Sequence, residues 1–424
     1  MNPVVRSTFP SKYFPIFALA FVVLSCPAFG TNTAPVGAGY TDVSPHQIVR
    51  DSKNYLYVIA PNGTKYKGNT AAQLLVWKGN QVGSPTSYTI QDQIHSPGFP
   101  KTGISITPGI TTSASGIDGN DVIHSVWIDG QGNTLGTPGN FYYAQLDTKT
   151  GKWGAATKIA NTNWSGYVPG DEGVALELDS LGNPHVFWTV KIGTQLRVYY
   201  ANLIGGTWST PFLADEATTI NAWHPTMAFA PNGDLLLAYI DGAGNYSHDG
   251  TVRTRVRHST GIWDASLSIP VSHVYTGIDN GPSLLITPDG IQHITFCGNL
   301  NDIQYWYNSG AGWTGDQQPL NNGKPQITHD PALGPDGAGG LYIYGHGTPA
   351  GVRGNGANKY RFQKVAGGTS WGPWTLVVTN SMIDDSTSTR WSQFSFNFPT
   401  TADFTYWTHV VPNFHNFMIF TGTN

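Results

Sequence analysis

Five short stretches bring together side chains that could move protons and grip a charged ring: Asp171-Glu172-Gly173, Ala222-Trp223-His224, Asp279-Asn280-Gly281, Thr328-His329-Asp330 and Arg390-Trp391. Their chemistries are complementary. Glu172, Asp279 and Asp330 are carboxylates and His224 and His329 imidazoles, the groups that general acid–base catalysis needs. Arg390 would neutralise an anionic group, Trp223 and Trp391 would stack on a sugar face, and Asn280 and His346 would hydrogen-bond to hydroxyls. Two reactions fit the set. On a uronate, Arg390 would neutralise the carboxylate while His224 or His329 removes the adjacent proton, giving elimination. On a neutral sugar, Glu172 with Asp279 or Asp330 would act as acid and base in hydrolysis, their separation setting the stereochemical outcome. Each residue also has a purely structural role open to it. Asp279 and Asp330 stand just before Gly-Pro and Pro and would brace turns, buried histidines would bond neighbouring strands, and the indoles would fill a core.

What must position these residues is a repeat. Trp153, Trp208, Trp263, Trp313 and Trp371 each follow a glycine within a few residues and lie 55, 55, 50 and 58 residues apart, a period characteristic of propeller blades. Upstream of the tryptophans run Tyr-rich apolar segments such as Val198-Tyr199-Tyr200-Ala201. A common frame connects the repeats: Val174 to Gly182, Pro225 to Gly233, Pro282 to Gly290 and Pro331 to Gly339 are all eight residues apart. With looser copies included, innermost strands are expected to begin near Gln47, Ile104, Val174, Pro225, Pro282, Pro331 and Ser392. The predicted fold class is therefore all-β, a seven-bladed propeller of four-stranded antiparallel blades. The last copy has room for three strands, Gln393 to Phe398, Phe404 to Thr408 and Phe417 to Thr421, so residues 37–44 are expected to supply the fourth and close the ring.

In such a blade, the loops before the first strand and between the second and third share one face. The frame puts His46, His95, His224, His248, His273, His329, His346, His409 and His415 on that face and only His258 on the other. The residues preceding the innermost strands differ from blade to blade while the strands repeat, as one asymmetric pocket would require. His124, His185 and His293 fall at equivalent points of second strands, where inter-blade packing explains them. Arg253, Arg255 and Arg257 alternate along a third strand and read as a salt-bridged blade surface.

The chain has 424 residues, 51 glycines, 28 prolines and 12% aromatic residues, a composition suited to many short strands and tight turns. Residues 1–30 read as a signal peptide, with Arg6 and Lys12, an apolar run from Pro15 to Val23, and Ala28-Phe29-Gly30 before the cleavage point. The domain is then 31–424, secreted or periplasmic. No later segment is long and apolar enough for a membrane helix. Loss of Arg6 and Lys12 makes the domain two charges more negative than the net −4 of the whole chain, which disfavours nucleic acid as a partner. Cys26 would leave with the signal, so Cys297 stands alone as a buried thiol and no internal disulfide forms. Asp129-Gly130-Gln131-Gly132-Asn133 and Asp241-Gly242-Ala243-Gly244-Asn245 space oxygen ligands as calcium loops do but carry too few carboxylates. They read as glycine turns, with calcium as the alternative, and no metal ligand or other cofactor is expected. The expected state is a monomer.

With the blades laid out, the chain resembles the secreted propellers of the sialidase superfamily and its BNR-repeat relatives, including lyases of uronate-containing polysaccharides. It departs from the sialidase pattern in two places. Asp147-Thr148-Lys149-Thr150-Gly151-Lys152-Trp153 does not match the Ser-x-Asp-x-Gly-x-x-Trp turn, and no arginine triad is recognisable. Propeller lectins are resembled equally, through turns such as Gly205-Gly206-Thr207-Trp208-Ser209-Thr210-Pro211. The resemblance implies a glycan partner engaged at the channel mouth and cleaved by a lyase or hydrolase. The alternatives are a non-catalytic lectin and a protein-interaction scaffold.

Overall fold

The computed structural model describes residues 32–38, 48–61, 73–97, 110–129, 139–162, 173–216, 220–242, 250–271, 281–298, 303–316, 326–336, 339–348, 358–368, 370–373, 375–378, 390–391, 403–411 and 414–421. These form antiparallel sheets numbered here in chain order, and no helix occurs among them. Sheet 1 contains Ile48–Arg50, Tyr55–Pro61, Gln73–Val82 and Tyr88–His95. Sheet 2 contains Ile110–Ile117, Val122–Asp129, Asn140–Asp147 and Thr157–Asn161, with Lys152–Trp153 also on its third strand. Sheet 3 contains Val174–Leu178, Pro184–Ile192 and Gln195–Ile204, with Thr207–Trp208 and Phe212–Leu213 along its outer edge. Ala222–Phe229, Leu235–Asp241, Thr251–Arg257 and Leu267–Ser268 make sheet 4. Sheet 5 is Ser283–Ile286, Gln292–Cys297, Ile303–Asn308 and Trp313–Asp316, and sheet 6 is Gln326–Pro335, Leu341–Thr348, Asn358–Lys364 and Thr375–Val378. Sheet 7 orders Arg390–Trp391, Asp403–Val411 and Phe414–Thr421, with Asn32–Ala38 beside the last.

Burial grades across each sheet. All seven residues of Leu235–Asp241 are buried, as are the first seven of Pro184–Ile192, whereas Leu267–Ser268 and most of Thr157–Asn161 face solvent. A second strand buried on both faces reads as a continuous apolar run, and its neighbours on either side must be other sheets. Consecutive first strands lie beside one another from sheet 1 through to sheet 7; Ile48–Arg50 also approaches Asp403–Val411, and Asn32–Ala38 approaches Tyr88–His95.

One turn recurs between first and second strands. The amides of Asp51, Asp118, Asp179, Ala230, Thr287 and Asp336 each donate to the carbonyl four residues on, at 2.8–3.0 Å. Three residues on stands a left-handed residue: Asn54, Asp121, Gly182, Gly233, Gly290 and Gly339, with φ between 64° and 87°. Glycine takes this conformation without the Cβ penalty, and Asn and Asp are the side chains that best tolerate it. At Asp51, Asp118 and Asp179 the turn-opening Oδ1 accepts two more amides, as Asp179 does from Leu181 at 2.9 Å and Asn183 at 2.8 Å. The eight-residue frame seen in the sequence ends on four of these glycines.

From the turn a polar relay runs outward. Six residues after the turn-opening position stand Tyr57, His124, His185, Leu236, His293 and Tyr342. His124, His185 and His293 are buried, and each Nδ1 lies 2.7 Å from a tyrosine hydroxyl on its sheet's third strand: Tyr143, Tyr200 and Tyr305. Those rings meet the repeated tryptophans of the following sheet edge-on, Trp208 on Tyr143 at 5.1 Å, Trp263 on Tyr200 at 5.4 Å and Trp371 on Tyr305 at 4.9 Å. In sheet 4 leucine replaces the histidine and Thr254 stands in the tyrosine's place, where its hydroxyl accepts the indole N–H of Trp313 at 3.0 Å. His185 also meets Phe229 of sheet 4 edge-on at 4.9 Å. The packing role expected of these three histidines is what they perform.

One boundary differs from the expected ones, and two expected strand starts fall outside the described residues. The first strand of sheet 2 is described from Ile110, the expected start at Ile104 lying outside the described residues. The strand beside Phe414–Thr421 is Asn32–Ala38 rather than 37–44, and in sheet 7 the described first strand is Arg390–Trp391, while the expected Gln393–Phe398 lies outside the described residues. Cys297 is buried as expected.

Burial holds His185 and His293 down to about 4 each, against an ordinary value of about 6.5. Below that ordinary value the unfolded chain binds protons at both sites, while the folded chain binds none until about pH 4. These groups therefore leave stability unchanged at neutral pH and reduce it as pH falls through the window. The urea midpoint is expected to drop between pH 7 and pH 5, and to drop less in a His185→Gln, His293→Gln double variant. Equal drops in the two proteins would contradict the assignment.

Candidate functional site

The candidate residues that are described gather at the end of the sheets where first strands begin and second strands finish. In sheet 4 the pairing shifts register between Trp223, opposite Ile240, and Thr226, opposite Ala238. His224 and Pro225 form the resulting bulge. His224 is buried with φ 46°, a left-handed conformation that a non-glycine residue adopts only when its surroundings impose it. Gly173, at the start of sheet 3, supplies that constraint. A Cβ there would lie 2.8 Å from the Cα of His224 and would overlap the Pro225 ring, so only glycine lets the two backbones meet. Gly173 is itself pinned, its carbonyl accepting the Thr189 amide at 3.0 Å.

Sheet 6 is distorted at the same end. His329 pairs directly with His346 across the first two strands, with irregularities on both sides, between Ile327 and His329 and between His329 and Ala332. Asp330 and Pro331 occupy the second irregularity. Its first strand is tied to sheet 5 by the Leu333 amide, which donates to Ser283 Oγ at 3.0 Å, and lies beside Arg390–Trp391 of sheet 7. There Arg390 pairs with Thr405 and Trp391 with Phe404. Glu172, Asp279 and Asn280 lie outside the described residues. The backbone thus brings Trp223, His224, His329, Asp330, His346, Arg390 and Trp391 to equivalent ends of three sheets. A register shift also occurs in sheet 2 between Ile110 and Thr112, and bulges of this kind commonly re-aim side chains beside sites.

Two further carboxylates stand at this end, Asp129 and Asp241, each closing a second strand at the same point of the repeat. Asp241 is buried and accepts from Arg253 Nε at 2.6 Å. Asp129 is fully buried, accepting from Ser96 Oγ at 2.9 Å and the Asn140 amide at 2.7 Å, and burial pushes its carboxyl up to about 6. The sequence marks both by the following Gly-x-Gly-Asn, whose residues lie in part outside the described residues. Both carboxylates accept hydrogen bonds from protein donors. The arginine stripe is engaged as well: Arg255 bonds Glu216 at 2.8 Å, and Arg257 lies over the Tyr200 ring at 5.2 Å. On the opposite end, His258 bridges Asp234 and Asp264 at 3.0 Å each, and the two carboxylates hold its imidazole above the ordinary range.

The contact between Gly173 and the His224 bulge generates a test. Gly173→Ala must displace the bulge, and overpacking of this kind costs about 1–3 kcal/mol. Urea unfolding is expected to register that loss, whereas Gly205→Ala, at a turn open to solvent, is expected to register only its backbone strain.

No protein-family model and no curated protein matches the chain. Solved structures do match it. One, described as a new family of polysaccharide lyase, an ulvan lyase, aligns with a TM-score of 0.58 and 14% identity over 93% of this chain and 95% of its own. A second, the same kind of lyase bound to -[GlcA(1-4)Rha3S]-, aligns at 0.55 and 13% over 92% and 96%. A protein of unknown function from Dyadobacter fermentans aligns at 0.50 and 11% over 73% and 93%. At such identities the likeness is one of fold. It places the chain among propeller-like folds and is not specific to the sialidase superfamily, which narrows the resemblance drawn from sequence.

Proposed function

We propose that this protein is a secreted seven-bladed β-propeller, closed by its N-terminal strand, that cleaves a uronate-containing polysaccharide by elimination. Ring closure is supported by the succession of neighbouring first strands and by the pairing of Asn32–Ala38 with Phe414–Thr421. The observation that carries the site is the pair of distorted first strands in sheets 4 and 6, which bring His224 and His329 to the same end of two sheets. The extent of the fold likeness to polysaccharide lyases supports the reaction class.

In this reading Arg390 neutralises the uronate carboxylate, which lowers the barrier to removing the proton on the adjacent carbon. One of His224 and His329 takes that proton. The electron pair forms the C4–C5 double bond, the C4–O bond breaks, and the other imidazole returns a proton to the departing oxygen. Trp223 and Trp391 stack on neighbouring sugars, and Asn280 and His346 hold hydroxyls. Glu172, Asp279 and Asp330 are the carboxylates that would carry the reaction if the product proved hydrolytic.

The test is product formation by residues 31–424 on ulvan and on neutral polysaccharides, following reducing ends and unsaturated-uronate absorbance together. The expected result is unsaturated product from ulvan, with His329→Ala lowering kcat by roughly a hundredfold or more. Reducing ends without unsaturation, abolished by Glu172→Gln, would replace elimination by hydrolysis. Absence of turnover in a folded protein would make it a binding propeller.

A further inference from the structure

Where sheets 3 and 4 meet, the tryptophan contact carries an extra ring. Phe212, on the short outer strand of sheet 3, stacks on Trp263 with centroids 5.5 Å apart and planes 16° from parallel, yet is 42% exposed. Arg255 lies over both rings, 5.7 Å from Phe212 and 5.0 Å from Trp263, and is itself buried. Its guanidinium donates to the Asp264 carbonyl at 2.7 Å, the Ala214 carbonyl at 2.8 Å and the Glu216 carboxylate at 2.8 Å. Glu216 is 49% exposed. A buried cation thus bonds a half-exposed carboxylate near a partly exposed aromatic ring. The corresponding contacts elsewhere lack this arrangement. Trp208 meets Tyr143, and Trp371 meets Tyr305, at 79° and 80°, with no second ring stacked on either tryptophan among the described residues.

Packing between sheets accounts for Trp263 but not for an apolar ring left facing water. We infer that Phe212, Trp263, Arg255 and Glu216 form an accessory glycan-contact site that takes a neutral sugar residue. The C–H face of a sugar ring stacks on an aromatic side chain, and its hydroxyls donate to a carboxylate. The charge selects the occupant. Glu216 and the exposed Asp264 disfavour an anionic sugar, and Arg255 is already bonded inward. The site is on outer strands, the far edge of the sheets from the first strands, so it would hold a polymer while another stretch is processed and raise its effective concentration there. This inference rests on the proposed engagement of a polysaccharide, not on the reaction chemistry.

The experiment is affinity electrophoresis of residues 31–424 through gels containing xylan, arabinan, galactan, dextran or polygalacturonate, with cleavage of short ulvan oligosaccharides assayed in parallel. Wild type is expected to be retarded by at least one neutral polymer. Phe212→Ala and Glu216→Gln should weaken that retardation about fivefold or more and Phe212→Tyr should keep it, with oligosaccharide cleavage unchanged in all three. Wild-type cleavage with retardation equal in Phe212→Ala would overturn the accessory site alone. A wild type neither retarded nor active would overturn the site and the polysaccharide reading together.

Discussion

A buried imidazole needs a hydrogen-bond partner, and in three of these sheets the partner is a tyrosine hydroxyl 2.7 Å away on the next strand. That bond does more than satisfy a polar atom. It fixes the tyrosine ring at the sheet surface, and the ring is where the next sheet's tryptophan lands. The same histidine stands six residues after a turn whose left-handed third step sets the angle between first and second strands. One relay therefore carries the geometry of a tight turn inside one sheet to the outer edge of the next. Sheet 4 makes the same link with different chemistry, Thr254 taking the indole proton of Trp313 directly. The link, rather than any one residue type, is what the repeat preserves.

With the tight-turn end held this way, the other end is released from the repeat. Equivalent positions there carry unlike groups. Asp129 stands fully buried among neutral donors and Asp241 is locked to Arg253, although both close second strands at the same step. Gly173 accommodates the His224 bulge, and the His329 backbone pairs with that of His346 between two irregularities. A regular scaffold with one irregular end is the arrangement that lets a single asymmetric site form on a symmetric architecture.

Much of the scaffold was legible in the sequence because it is written in local, repeated chemistry. The eight-residue steps ending at Gly182, Gly233, Gly290 and Gly339 land on left-handed turns, and the spaced tryptophans are the contacts between sheets. Legibility stops where tertiary contact overrides local pattern. No feature of Trp223-His224-Pro225 announces a bulge, since its cause is a glycine fifty residues earlier in the chain. The pairing of Asn32–Ala38 was expected several residues later because a strand joining a distant edge has no turn to set its register. Asp129 and Asp241 were visible as a repeated motif, but the donors that occupy them, Ser96, Asn140 and Arg253, come from segments whose proximity only folding creates.

The central claim, elimination at the irregular end, is tested most directly by the mass of the fragments released from a uronate polymer. Elimination leaves each new non-reducing end lighter by one water than hydrolysis would, because the C4–C5 double bond forms in place of water addition. The account predicts that deficit on every new uronate end in a digest of ulvan by residues 31–424, and its disappearance in the His329→Ala digest. Fragments of full hydrolytic mass, or an uncut polymer in the presence of folded protein, would contradict it.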